Sequence, residues 1–304
     1  MLRAVIAASL ITTLTAYTLR PLRPPPKPSY ETSTVLITGP SLNGIGHAFA
    51  QSFSSLRVSK IILLGRSLSK LEAARSSLPH PNIEIIQCDF SSPPSLTSSL
   101  SKIKSTNTRI DYLICNAGIS QRSTFLSTPL STFYEIFQVN LFSHVALIHG
   151  LSSLMGLDDR DNKSHIVYVS SVQSVIALPE RSGYSASKAA VSGLCDSLRA
   201  EFSDFCNVIE VRPGYVSTSL SLNALTSSGK YNKTDSTTLN GIPPRKVAER
   251  VIEGIEKGES VIDVGWDWKS RVAVWLKFWG GGVLRGIMER RFRKSQREKK
   301  GLND

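Results

Sequence analysis

Cysteine is scarce in this chain: four in 304 residues, Cys88, Cys115, Cys195 and Cys206, with no C-x-x-C pair. That scatter excludes a disulfide framework and a thiolate zinc site, and it fits thiols kept reduced. Five histidines, His47, His80, His144, His149 and His165, show no ligand spacing. His144 and His149 are five apart, off a shared helix face, so no metal site is expected. Charged residues make up 20% and aromatics 8%, which indicates neither disorder nor a multi-span membrane protein. No internal repeat is visible, and tryptophan is absent until Trp266.

What the chain does have is apolar content, 41%, enough to bury one large core or two small ones. β-Branched apolar runs recur at "TVLIT", "KIILLG", "IEIIQC", "IDYLICN", "HIVYVSS" and "CNVIEVR". Helix-period stretches such as "GIGHAFAQSFSSL" and "GYSASKAAVSGLCDSLRAEF" separate them. Continuously apolar strands alternating with helices predict a parallel sheet covered on both faces, the doubly wound α/β class. A ligand of such a fold belongs at the carboxyl ends of the strands.

The two ends differ from this middle. Ala4 to Leu19 is uncharged for sixteen residues. As a helix it would run about 24 Å, short of the roughly 30 Å hydrocarbon core, and four threonines weaken it further. No small-x-small cleavage site follows, so a retained membrane anchor over 1–20 is the expectation. The Pro-rich 21–32 reads as a stiff linker. Arg20, Arg23 and Lys27 outweigh Arg3, so the main domain is expected on the cytosolic side; the membrane expected is the endoplasmic reticulum or a similar one. Over 266–304, Trp266, Trp268, Trp275 and Trp279 precede a basic run. Arg285, Arg290, Arg291, Arg293, Lys294, Arg297, Lys299 and Lys300 supply much of the net charge of +12. Val272, Trp275 and Phe278 share a helical stripe, the pattern of an interfacial amphipathic helix meeting anionic lipid. Nucleic acid is disfavoured, because the aromatics precede the charge instead of interleaving with it.

Within the middle, "TGPSLNGIG" follows the first strand, and its glycines let backbone amides approach a pyrophosphate at a helix start. The second strand ends in Gly65 and Arg66, with no acidic residue for ribose hydroxyls; a guanidinium there suits a 2′-phosphate. Asp89 after the third strand, "CNAG" at Cys115 to Gly118, Asn140, "VSS" before "YSASK", and "RPGYVST" then occur in order. This succession resembles the short-chain dehydrogenase/reductase family across 33–265. The resemblance implies a single Rossmann-like domain and a pyrophosphate cradle of Gly39, Ser41, Gly44, Ile45 and Gly46. It places Asn116 and Gly118 beneath NADP(H), Asp89 at the adenine, and Val216 and Thr218 over the nicotinamide carboxamide. It implies catalytic roles for Ser171, Tyr184 and Lys188, with Lys188 also holding the ribose and Asn140 supporting a water-linked proton relay. It leaves room for a homo-oligomer.

The chemistry of "YSASK" is legible without the family. Tyr184 and Lys188 stand at i and i+4 on one helix face. A nearby ammonium favours the phenolate of a group whose ordinary pKa is near 10, so Tyr184 could exchange a proton with a substrate oxygen. Ser171, at the end of a strand, could hold that oxygen; Ser170 is its neighbour on the opposite strand face.

One feature departs from the family pattern: four residues, Pro40 to Asn43, separate Gly39 from Gly44 where three are usual. Pro40 also lacks an N–H to offer phosphate. Either the loop bulges outward and the amides of Gly44 to Gly46 still meet the pyrophosphate, or the site is degraded. The combined pattern is similar to a membrane-associated branch of the family that reduces lipophilic carbonyls. The expectation is an NADP(H)-dependent carbonyl/alcohol oxidoreductase acting on a lipophilic substrate at a membrane surface. The alternatives are a catalytically silent Rossmann scaffold and an anionic-membrane binder working through the basic tail. A Ser/Thr-rich stretch at about 220–240 reads as a lid over the substrate.

Overall fold

The computed structural model describes residues 30–157, 163–220, 224–226, 229–230 and 241–300. The expected anchor over 1–20 and most of the linker over 21–32 lie outside the described residues, as does much of the expected lid. Strand β1 (Thr34–Thr38) leads to α1 (Ile45–Ser55), β2 (Lys60–Gly65) to α2 (Leu68–Ser76), and β3 (Ile83–Gln87) to α3 (Pro93–Thr106). Strand β4 (Tyr112–Cys115) is followed by α4 (Leu130–Phe137), a π-helical turn (Gln138–Phe142) and α5 (Ser143–Gly150). Strand β5 (Ser164–Val169) precedes α6 (Ser182–Glu201), and β6 (Cys206–Pro213) precedes α7 (Pro244–Glu256). Strand β7 (Val261–Val264) closes the sheet, and α8 (Trp268–Trp279) and α9 (Gly281–Lys300) follow.

All seven strands are parallel in the order β3-β2-β1-β4-β5-β6-β7. The central strands are apolar throughout because both faces are covered. Val35 and Ile37 join Phe49 and Phe53 of α1, Leu71 of α2 and Val251 of α7 in one buried cluster. Leu36 and Leu113 join Leu96 of α3, Leu147 of α5 and Val191 of α6 in the other. Successive residues of β1 thus feed opposite layers, as the strand period requires. Each fully buried phenylalanine contributes about 1.5–3 kcal/mol, and Phe49 and Phe53 lock α1 behind the first glycine loop at 0% exposure.

The strand order reverses direction between β1 and β4, which opens a crevice at their carboxyl ends. Thr38 fixes that point: its buried hydroxyl donates to the Ile114 carbonyl and accepts from the amides of Asn116 and Ala117 at 2.8 and 2.9 Å.

Candidate active site

A cleft of about 380 Å³ runs across these strand ends, from Arg66 and Lys70 at one side to Tyr184, Lys188 and Arg181 at the other. Its floor is built on glycines whose Cα–H is the only group that fits. Gly39 has φ +66°, and a Cβ there would stand 2.9 Å from the Ala117 Cα. At Gly46 a Cβ would fall 2.5 Å from Asn116 Nδ2 and 2.6 Å from the Gly39 carbonyl. Asn116 holds this junction by donating to the carbonyls of Thr38 and Gly39 at 2.9 and 3.0 Å.

The long glycine loop folds its additional residue outward. The Gly44 amide donates to the Ser41 carbonyl at 2.9 Å, closing a tight turn in which Asn43 takes φ +60°. Asparagine tolerates this left-handed conformation better than most residues. Leu42 and Asn43 face solvent, while Ser41, Gly44 and Ile45 line the cleft and Pro40 is buried. The expectation for the Gly44 to Gly46 amides is corrected in one respect: Gly44 N–H is engaged within the turn. Gly46 lies beneath the wall, against Asn116 and Gly39. The first-turn amides of α1 have no intrahelical acceptor and are the donors such a helix start offers an anion.

At the end of β2, Arg66 is exposed and lines the cleft with Ser67 and Lys70, two residues the sequence reading passed over. Ser67 caps α2, accepting from the Lys70 amide at 3.4 Å, so Lys70 is set one turn into the helix on the same side. Asp89 also lines this end, but its carboxylate accepts from the amide and hydroxyl of Ser91 at 3.0 and 2.7 Å.

The opposite end is organised by α6. Gln121 Oε1 accepts from the Gly183 amide at 2.7 Å and thereby satisfies one of the free donors at the helix start. Tyr184 and Lys188 are 5% and 4% exposed and both line the cleft. Ser171 caps the short 3₁₀ turn Val172–Ser174, accepting from the Gln173 amide at 3.1 Å. Burial raises the Tyr184 pKa above 10, and hydrogen bonding to Ser171 and the charge of Arg181 offset part of that rise. The sequence reading gave that offsetting role to the lysine. Instead Lys188 Nζ donates to the Val169 carbonyl at 2.8 Å and stands 5.9 Å from the centre of the Tyr184 ring. Burial wins, so Tyr184 is held as the neutral phenol. Lys188 itself is lowered to about 8, chiefly by burial, against the raising influence of Glu210 and the thiols of Cys115 and Cys195. Arg181, also unforeseen, donates to Ser120 Oγ at 2.7 Å.

Ser170 and Ser171 both line the cleft, but they do different things. The Ser170 hydroxyl points to the Lys188 carbonyl at 3.5 Å, whereas Ser171 meets Tyr184. Asn140 sits in the π-helical turn, fully buried behind the cleft. Its side chain accepts from the Ile119 amide at 2.8 Å and donates to the Ile119 carbonyl and Ser187 Oγ, both at 3.0 Å. Its own carbonyl, displaced from regular helix bonding, accepts from the Tyr168 hydroxyl at 2.9 Å. Gly118 lies between the two groups: a Cβ there would meet Asn140 Oδ1 at 3.2 Å and Lys188 Nζ at 3.8 Å. Val216 and Thr218 line the cleft beyond β6. Near the expected lid, Leu225–Thr226 pairs with Gly229–Lys230 as a small antiparallel ribbon, and Leu225 bridges to Gln121.

Helices α8 and α9 reach back to the segment between Ser171 and Tyr184. Lys277 donates to the Val175 carbonyl, and Gln296 donates to Glu180 Oε1 at 2.7 Å. Trp268, Val272, Trp275 and Trp279 form an exposed stripe on α8, with Phe278 beside it, and Val283 and Ile287 are exposed on α9. Among the described residues, no helix is long and apolar enough to cross a membrane.

The family model described as short chain dehydrogenase matches residues 33–227. A dehydrogenase/reductase SDR family protein 7-like of Anopheles gambiae is 38% identical over 271 residues, covering 86% of this chain and 83% of its own. Dehydrogenase/reductase SDR family member 7B of Xenopus tropicalis is 34% identical over 280 residues, covering 88% of each chain. Among solved structures, a short-chain dehydrogenase from Sphingobium yanoikuyae in complex with NADPH superposes with a TM-score of 0.67 at 23% identity, over 84% of this chain and 95% of that one. One from Burkholderia phymatum in complex with NAD gives 0.64 at 18% identity, over 77% and 89%. At these identities the two structures speak to the fold alone.

Proposed function

This chain belongs to the short chain dehydrogenase family, and from that premise we propose that it is an NADP(H)-dependent oxidoreductase interconverting a carbonyl and a secondary alcohol on a lipophilic substrate at a membrane surface. The observation that carries the reading is the meeting of Ser171, Tyr184 and Lys188 at one end of a cleft whose other end is cationic. The residues present fit a dinucleotide. Gly39 and Gly46 pack so closely that no side chain fills the floor, and α1 starts at Ile45, which lines the cleft. Arg66 and Lys70, with Ser41 and Ser67, supply the donors a 2′-phosphate needs, and no acidic residue stands directly after β2.

In this reading the bound nicotinamide supplies or accepts a hydride. The chain's own residues handle the oxygen. Ser171 holds the substrate oxygen against the Tyr184 hydroxyl, which donates its proton during reduction and takes one back during oxidation. Lys188 keeps positive charge near Tyr184 and binds the ribose hydroxyls. Asp89 would border the adenine, Asn116 and Gly118 would lie under the cofactor, and Val216 and Thr218 would cover its carboxamide. Asn140 fixes the Ile119 backbone and the floor at Gly118.

The lipid part of the proposal draws on α8 and α9. A stripe of exposed tryptophan and valine beside arginine and lysine is the composition that lies in a headgroup layer. These helices touch the segment carrying the catalytic serine and tyrosine, so a substrate arriving from lipid would be close to the mouth. We accordingly retain 1–20 as an anchor, 21–32 as a linker, 33–265 as the catalytic domain facing the cytosol, and 266–304 as the membrane-proximal tail of an enzyme of the endoplasmic reticulum or a similar membrane.

The test compares wild type with Tyr184→Phe across a panel of lipid ketones presented in vesicles with NADPH. Turnover falls by about 10²–10⁴-fold, while NADPH affinity stays unchanged. Wild-type protein that neither binds NADPH at millimolar concentration nor turns over any ketone would sink the reading.

A further inference from the structure

Strand β6 carries a carboxylate for which the reaction above has no use. Glu210 is 2% exposed and lies in the body of the sheet, opposite Tyr168 on β5 and Val261 on β7. An isolated carboxylate so buried is strongly unfavourable; it persists where hydrogen bonds and an opposite charge compensate. Two hydroxyls supply the hydrogen bonds. Ser192 Oγ donates to Glu210 Oε1 at 2.6 Å, and Ser174 Oγ donates to the same oxygen at 3.3 Å.

The positions of these serines matter. Ser192 stands one helical turn after Lys188 on the same face of α6. Ser174 closes the 3₁₀ turn that Ser171 caps, three residues earlier. A single carboxylate oxygen therefore ties the turn presenting Ser171 to the helix presenting Tyr184 and Lys188. Two cations of α6 lie on this side: Lys188, whose buried ammonium the carboxylate acts on, and Arg199, whose guanidinium donates to the Val208 and Ser260 carbonyls.

We propose that Glu210 is a positioning residue for proton transfer: its negative charge keeps Lys188 protonated, and its hydrogen bonds hold the Ser171 turn in register with the Tyr184 helix. This inference rests on the reductase reading.

The surroundings of Lys188 support it. Glu210 from β6, Cys115 from β4 and Cys195 from α6 act on the lysine directly, Tyr184 of α6 and His144 of α5 lie within its influence, and Arg181, Arg199 and Asp196 act on Tyr184 or Cys195. Burial raises the thiol of Cys115 well above its ordinary range and that of Cys195 to about 12, and raises the phenol of Tyr184. The imidazole of His144 is lowered to about 3. At pH 8 these four are neutral, and of the groups that act on Lys188 itself Glu210 is the charge left to oppose burial of the ammonium.

The experiment titrates Lys188 in the free protein by NMR of ¹³C-labelled lysine, and measures the pH profile of reductive kcat/KM with NADPH. Wild type and Glu210→Gln are compared; glutamine still accepts from both serines but lacks the charge. The expected result is a Lys188 midpoint about one pH unit lower in Glu210→Gln, with the alkaline limb of the profile moving down alongside it. Glu210→Asp keeps the charge and holds the midpoint close to wild type. Equal midpoints in wild type and Glu210→Gln, or the same displacement in the Asp and Gln variants, overturn the proposal. Should Glu210→Gln not fold, Glu210→Asp against wild type decides by the same two readouts: a midpoint near 8 in both supports it, and a fall below 7 in the aspartate variant refutes it. If no ketone is turned over, the reductase reading fails, yet the lysine titration still decides for or against the charge of Glu210.

Discussion

Arg66, the residue the proposed function assigns to the adenosine ribose, is exposed at the end of β2 and lines the cleft with Lys70. Solvent weakens a cation so placed, so under that proposal a moderate discrimination between phosphorylated and unphosphorylated cofactors is expected. Arg66→Asp should raise the KM for NADPH by about 10-fold, the low end for a charged hydrogen bond, and leave NADH unchanged or improved. Steady-state kinetics with both cofactors checks this, and an unchanged preference would remove Arg66 from the assignment. Neighbouring Ser67 and Lys70 went unread in sequence because a serine cap and a helical lysine look like any exposed helix start. Only the fold turns them toward the cleft. Glu210 escaped notice for a different reason: inside "CNVIEVR" it looks like an outward residue of a strand, and the serines that donate to it are 18 and 36 positions away.

Among the elements, the parallel strands were legible because burial on both faces leaves continuous apolar runs, and α6 because "YSASK" needs i and i+4 on one face. The π-helical turn at Gln138–Phe142 was not. There Tyr168 reaches across from β5 to donate to the Asn140 carbonyl, and such a contact has no local sequence signal. The turn at Ser41–Gly44 was half legible: the count of residues is plain in the sequence, but the direction of the bulge follows from the left-handed Asn43. Helices α8 and α9 carry their own prediction. Deleting 285–304 removes the eight basic residues and the Gln296 hydrogen bond but leaves the tryptophan stripe. At about 1 kcal/mol per basic residue near an anionic surface, flotation with phosphatidylserine-containing vesicles should largely disappear at physiological salt. Undiminished flotation would relieve the basic helix of that role.

For the molecule as a whole, acid should be more damaging than base. His144 and His165 are buried and lowered to about 3 and about 4, mainly by burial. Below pH 6.5 the unfolded chain takes up protons at these two imidazoles while the folded chain does not. Their share of stability is therefore intact above 6.5 and is lost progressively as pH falls toward the folded values. At pH 5 the loss amounts to about 2 kcal/mol for each, a large part of the roughly 5–15 kcal/mol that holds a typical domain together. Urea denaturation at pH 7 and pH 5 should show that drop, with His144→Gln recovering about half of it; equal stability at both pH values would contradict the burial argument. The doubly wound architecture behind this burial was fully foreseeable, since alternating strands and helices leave few other layer arrangements.

The crowding of every tryptophan into Trp266, Trp268, Trp275 and Trp279 has a spectroscopic consequence. Trp266 is pinned by its indole N–H to the Arg212 carbonyl at 2.7 Å, while the other three are exposed on α8. Intrinsic tryptophan emission from this protein therefore reports on the edge of the sheet and the helix beyond it, and is blind to the strands that form the cleft. A melt followed by fluorescence should precede one followed by far-ultraviolet circular dichroism, and that mismatch would describe a tail loosening from an intact fold, with no intermediate of the core itself.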